Sequence, residues 1–255
     1  MASEVIDPEN ASDAPDAPVE IFPSALIVSI PKSGTVYMNE TLRRAGLGNE
    51  IVSLRYFPED RLTLEGLIEL RKGQRVAAVH IDAHPTNLQL LNAFVPRWIV
   101  HLRDPRSVTL SWTHHVDRRY REGLSERLFR VTPVPTPEYH AMDFEGRVSW
   151  QIENFLPSVI RWTADWLRAV DVFPGRFLLT EYQQFKGREA DFILEILDFL
   201  QIDVTRLNFQ LPDKTMAAHF RTGTTDEWKT AFTSSQIERA STLIPDAWRH
   251  QFGWP

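Results

Sequence analysis

Four groups of residues have the types and spacing to hold an anion and move a proton. Pro31-Lys32-Ser33-Gly34-Thr35 brings a cation, two hydroxyls and a glycine into one short stretch. Arg103-Asp104-Pro105-Arg106 offers guanidinium forks that suit phosphate, and Ser111 follows Arg103 by eight residues. His80, with His84 shortly after it, supplies an imidazole that titrates near neutrality and so suits a general base. The polar run Phe220 to Lys229 places Arg221, Thr222 and Gly223 in one loop. Together they are the means to grip a phosphate or sulfate ester and take a proton from an attacking group. Each alone has a plainer explanation: a turn capped by Ser33, a surface pair of Arg103 or Arg106 with Asp104, a hydrogen-bonded histidine at a strand end, an ordinary turn at Gly223.

The elements that must position these groups follow from hydropathy. Leu26 to Ile30 is an apolar run of the kind that forms a strand buried on both faces. Pro31 stops it, Gly34 supplies a tight turn, and Tyr37 to Arg44 resume at helical spacing. Strand, turn and helix together leave backbone N–H groups and a positive dipole end at the turn, a seat for phosphate or sulfate oxygens. The lysine precedes a single glycine, so this is not the Gly-x-x-x-x-Gly-Lys-Ser/Thr loop, and ATP does not follow as the occupant.

Further along, strands are predicted at Glu50 to Leu54, Arg75 to Ile81, Trp98 to Leu102 and Phe177 to Leu179. Helices are predicted from Leu62 to near Gly73, at Leu88 to Phe94, from about Ser107 to Arg119 and at Asp191 to Leu200. Arg121 to Tyr139, with Pro133, Pro135 and Pro137, reads as a surface loop or lid. Asp143 to Val170 reads as one long helix whose stripe of Trp150, Phe155, Val159, Trp162 and Trp166 belongs to the core. The alternation predicts an α/β fold: a single domain over residues 21–255, with a mainly parallel central sheet flanked by helices and ligands at the carboxyl ends of its strands.

Bulk composition narrows the function classes. The chain has 255 residues, no cysteine and a formal net charge of −6. Glu4, Asp7, Glu9, Asp13, Asp16 and Glu20 make residues 1–20 an acidic tail expected to be disordered, and beyond it 28 acidic residues balance 28 basic ones. No basic surface for nucleic acid is implied, nor a membrane span or a signal peptide, and a cytoplasmic location is expected. No cluster with metal-ligand spacing stands out, so no metal is expected.

Taken in order, these motifs resemble the sulfotransferase family that uses 3′-phosphoadenosine 5′-phosphosulfate (PAPS). Pro31-Lys32-Ser33-Gly34-Thr35 resembles its 5′-phosphosulfate loop, with Val36 in place of a second threonine and Tyr37 where the family has an aromatic residue that stacks on adenine. Arg103 with Ser111 resembles its 3′-phosphate motif. Arg221-Thr222-Gly223 followed by Trp228-Lys229 is similar to its C-terminal loop and Trp-Lys pair, with Thr222 in place of a lysine. Thr180-Glu181-Tyr182 stands where many members carry Tyr-Glu-Asp near adenine, which makes Thr180 a donor contact by analogy. His80 sits near the place of the family's catalytic histidine, but His80-Ile81-Asp82 replaces its His-Leu-Pro, and His84 is a rival.

The likeness runs from Leu26 to about Glu238 and implies a P-loop-like sulfotransferase fold. It implies sulfuryl transfer from PAPS to a small-molecule hydroxyl, less often an amine, leaving adenosine 3′,5′-bisphosphate (PAP). Lys32 would stabilise the leaving phosphate and His80 would be the base. Lys229-x-x-x-Thr233-Ser234-x-x-x-Glu238 is similar to the family's dimer motif, with Ser234 for valine, so a homodimer is an implied partner. The competing readings are an atypical P-loop kinase and a non-catalytic nucleotide-binding module.

Overall fold

The computed structural model describes residues 23–50, 54–56, 61–123, 136–207 and 225–255. The acidic tail, Pro133 and Pro135, and Arg221 to Gly223 lie outside the described residues. In chain order the first half comprises β1 (Ala25–Ser29), α1 (Thr35–Leu42) running into a π-helical turn (Arg43–Leu47), β2 (Asn49–Glu50), β3 (Arg55–Tyr56), β4 (Arg61–Leu62), α2 (Leu64–Arg71), β5 (Arg75–Val79), α3 (Pro85–Phe94), β6 (Trp98–Leu102) and α4 (Pro105–Arg121). The second half comprises α5 (Pro137–Ala141), α6 (Phe144–Asn154), α7 (Leu156–Val172), β7 (Phe177–Glu181), α8 (Tyr182–Phe185), α9 (Glu189–Phe199), α10 (Trp228–Ala231), α11 (Ser234–Leu243) and α12 (Asp246–Phe252).

Five strands pair in the order β2-β5-β1-β6-β7, all parallel, and β3 and β4 form a separate antiparallel pair. The sheet is covered on both faces because successive residues of β1 point to opposite sides. Leu26 and Val28 join Val108, Trp112, Val159 and Trp166 on the face of α4 and α7. Ala25 and Ile27 join Met38, Leu42, Ile193 and Ile196 on the face of α1 and α9. The expected α/β architecture with a parallel, helix-flanked sheet is the architecture observed. Among the described residues no helix is long and apolar enough to cross a membrane.

Three local expectations need correction. The long helix over Asp143 to Val170 is two helices, α6 and α7, meeting at Phe155. Pro157 sits in the first turn of α7, where its missing N–H does no harm; inside a continuous helix it would break the ladder and crowd the preceding turn. Leu62 belongs to β4 rather than to a helix, because Thr63 caps α2 by accepting the Gly66 N–H at 3.1 Å. The expected loop over Arg121 to Tyr139 is shortened at both ends, by α4 reaching Arg121 and by Pro137 opening α5.

Candidate active site

Because β5, β1, β6 and β7 are parallel, the turns that follow them leave from the same edge of the sheet. Ser29 lies opposite His101, His101 opposite Thr180, and Val28 opposite Val79. The Lys32 turn, His80, Arg103 and Tyr182 therefore start from neighbouring strand ends.

The turn after β1 depends on two left-handed residues, Lys32 at φ 74° and Gly34 at φ 82°. Lysine has a Cβ, so its conformation is strained and must be held from outside. Arg103 does this by donating from Nη1 to the Lys32 carbonyl at 2.5 Å. Gly34 is required twice over: for its φ, and because a Cβ there would lie 2.7 Å from Cε2 of Tyr182. Gly34 begins α1, and no side chain caps that helix, so the cap expected from Ser33 is not made. Ser33 is instead buried, and its Oγ has no hydrogen-bond partner among the described residues. A buried hydroxyl left unpaired beside uncapped helix N–H groups is a donor set suited to an anion.

Neighbouring residues have other duties. Thr35 Oγ1 lies 2.5 Å from Ser29 Oγ. Val36 is 56% exposed on the first turn of α1 and offers no side-chain donor. Tyr37 is only 8% exposed, and its ring meets Phe185 edge-on at 5.5 Å within the core.

Arg103 also places its guanidinium carbon 4.2 Å from the centroid of the Tyr182 ring. Tyr182 thus touches both sides of the site, the Gly34 turn and Arg103, a role the sequence did not signal. Asp104 does not compete for Arg103. Its carboxylate accepts from the backbone N–H, Nε and Nη2 of Arg106 at 2.8, 3.1 and 2.8 Å, and both side chains are 1% exposed. The surface pair that the plainer reading offered is, for Arg106, a buried pair, and its guanidinium also covers Trp228 at 3.9 Å. Ser111 is half-buried on α4. Ser107, one turn earlier, donates to the Thr225 carbonyl at 2.5 Å, which ties the chain just after the Arg221 to Gly223 segment to the start of α4. Thr233, from the dimer-like motif, closes a capping box on α11 with Gln236.

His80 follows β5 with Nδ1 2.8 Å from the Ser29 carbonyl oxygen. A carbonyl only accepts, so Nδ1 carries a hydrogen; in the neutral ring Nε2 then holds the lone pair, the tautomer a base acting through Nε2 requires. Ser29 consequently contacts both His80 and Thr35. His84 is exposed and occupied differently: its Nδ1 accepts the Thr86 N–H at 3.2 Å and caps α3.

Two buried titratable groups lie under this surface. Burial pushes the His101 imidazole down to about 3; the Ser33 backbone opposes the shift and the charge of Arg103 adds to it. Its Nδ1 lies 2.9 Å from Thr180 Oγ1, which places Thr180 inside the sheet. Burial pushes the Glu181 carboxyl up to about 7, against hydrogen bonds from the Trp254 indole and the backbone N–H groups of Gln183 and Gln184, with Asp104 adding to the rise. A histidine within an apolar strand and a glutamate at a strand end carried no sequence signal of such roles.

This fold is that of sulfotransferases. The family model for the sulfotransferase domain matches residues 22–250, and the chain belongs to that family: it is an enzyme of sulfuryl transfer. The structure is similar to mouse sulfotransferase SULT7A1 complexed with PAP, with a TM-score of 0.57 and 16% identity over 87% of this chain and 82% of that one. It is also similar to retinol dehydratase in a complex with retinol and PAP, with a TM-score of 0.53 and 14% identity over 89% of this chain and 82% of that one. No curated protein matches the sequence significantly.

Proposed function

We propose that the chain uses PAPS as donor and transfers its sulfuryl group to a hydroxyl of a small-molecule acceptor, with Lys32 acting on the leaving phosphate and His80 as general base. The observation that supports this most is the joining of the two basic arms: Arg103 reaches the backbone carbonyl of Lys32, so the turn that carries the lysine and the guanidinium of the other arm border one site. The residues fit such a donor. The buried, unpartnered Ser33 Oγ and the uncapped start of α1 suit the 5′ end, together with Lys32, Gly34 and Thr35. Arg103 and Ser111 suit the 3′-phosphate, and Arg221, Thr222 and Gly223 join that set by resemblance.

When bound, PAPS supplies an activated sulfuryl group whose departure leaves charge on a phosphate oxygen. Lys32 and the backbone N–H groups at the start of α1 neutralise that growing charge, which is where positioned donors and cations contribute most. His80, its Nδ1–H held by Ser29, presents Nε2 to the acceptor hydroxyl and takes its proton. The scheme assigns no step to a metal.

Calorimetry with PAP and with ATP tests the donor assignment, and PAP is expected to bind at least tenfold more tightly. ATP binding more tightly than PAP turns the reading towards a kinase. Incubation with PAPS and a panel of phenols, alcohols and amines, read by mass spectrometry for the gain of one SO₃ unit, tests the reaction. PAP binding with no such gain leaves a nucleotide-binding module.

A further inference from the structure

Helix α7 carries Trp162 and Trp166 of the stripe that sequence assigns to the core, and both are indeed buried there. Both indoles, however, also do something that packing alone does not require. Trp162 Nε1 donates to the Ile81 carbonyl at 2.7 Å, and Trp166 Nε1 donates to the same oxygen at 3.3 Å. The two residues stand one helical turn apart on one face, and a carbonyl has two lone pairs, so both donors can be served at once. Ile81 is the residue directly after His80, where the chain leaves β5. The stretch that carries His80 is therefore held from two directions: the ring from β1 through the Ser29 carbonyl, and the main chain from α7 through the carbonyl of the following residue, Ile81.

We propose that Trp162, backed by Trp166, is a positioning residue for His80, and that it fixes the Ile81–Asp82 peptide, one residue beyond the histidine, so that Nε2 is kept at one place over the site. This rests on the reading of His80 as the base. Phenylalanine keeps most of the packing of each indole and removes the donor, so Trp162→Phe/Trp166→Phe separates the hydrogen bonds from the bulk.

The test begins with nitrogen NMR of PAP-loaded protein carrying isotope-labelled histidine, the His80 signals being those missing in His80→Ala. Wild-type His80 is expected to show one Nδ1–H tautomer, and the double variant an average of the two tautomers. With PAPS and 2-naphthol as acceptor, the double variant is expected to lose roughly ten- to a hundredfold in kcat, the scale of a displaced catalytic group, with an unchanged KM for PAPS. In the His80→Ala background the same two substitutions are expected to cause no further loss, because they act through the missing ring.

Unchanged His80 signals in the double variant overturn the proposal, and so does an equal kcat loss with and without His80. The spectroscopic arm needs no acceptor, and Trp162→Phe alone replaces the double variant if the latter fails to fold. A failure of the underlying reading is distinct: His80→Ala turning over at the wild-type rate removes the base itself, whatever the tryptophan variants do.

Discussion

Gly34→Ala puts the construction of the donor turn to a quantitative test. Alanine at φ 82° carries the left-handed penalty of about 1–2 kcal/mol. Its Cβ would also lie 2.7 Å from Cε2 and 3.1 Å from Cδ2 of Tyr182, so the ring must shift, an overpacking cost of about 1–3 kcal/mol. Gly46 is the internal control: it stands at φ 96°, and a Cβ there meets nothing within 4 Å. Gly46→Ala therefore carries the backbone penalty alone, and the difference between the two variants isolates the Tyr182 contact. Because Arg103 rests on the same ring, a displaced Tyr182 also moves the guanidinium that holds Lys32. Thermal melts should put Gly46→Ala a few degrees below wild type, at about 2–4 °C per kcal/mol, and Gly34→Ala lower still. Calorimetry should find PAP affinity unchanged in Gly46→Ala and reduced at least tenfold in Gly34→Ala, which is about 1.4 kcal/mol. If the two variants melt together and bind PAP equally, Tyr182 does not support the turn.

Lys32→Ala should abolish sulfuryl transfer while leaving the melting temperature near wild type, and wild-type turnover in that variant would remove its catalytic role. His80→Ala should keep PAP binding and lose roughly 10²–10⁴-fold in kcat, whereas His84→Ala should lower stability by about 1 kcal/mol through the lost α3 cap and leave kcat intact; the reverse pattern would make His84 the base. Stability should depend on pH through the two buried groups in opposite senses. The folded pKa of His101, about 3, lies below its ordinary 6.5, so the unfolded chain takes up a proton the native one refuses, and stability falls as pH drops through that window. The folded pKa of Glu181, about 7, lies above its ordinary 4.5, so the native chain keeps a proton the unfolded one has lost, and stability falls as pH rises from about 4.5 to 7. Urea midpoints should show His101→Gln flattening the acid side and Glu181→Gln the neutral side; an unaltered acid side in His101→Gln contradicts the first assignment.

The strands at the centre of the sheet were legible because each is mostly apolar: Leu26 to Ile30 is interrupted only by Ser29 and stopped by Pro31, and Trp98 to Leu102 is interrupted only by His101. Trp98 to Leu102 is observed at the predicted bounds, and β1 within one residue of them. The helix over Asp143 to Val170 was over-read because its apolar spacing continues across Phe155 and Pro157; side-chain periodicity records the buried face, and the backbone break is recorded only by the proline. Lys32, Gly34 and Arg103 could be picked out by type and spacing. Tyr182 could not, because its importance comes from the space that Gly34 leaves, and a contact between residues so far apart in sequence has no local signature.

Asp104 shows why the two arginines of one motif could not be told apart in sequence and why they differ in the fold. Either Arg103 or Arg106 is close enough along the chain to pair with it. The helix decides: as N-cap of α4, Asp104 must turn its carboxylate towards the Arg106 N–H, and the Arg106 side chain then lies alongside the same oxygens. With that carboxylate engaged and buried, Arg103 is directed to the Lys32 carbonyl and the face of Tyr182. The Lys32 carbonyl and the Tyr182 face are neutral partners that attract a guanidinium, and both hold Arg103 at the strand edge, where the proposed phosphate-binding role would need it.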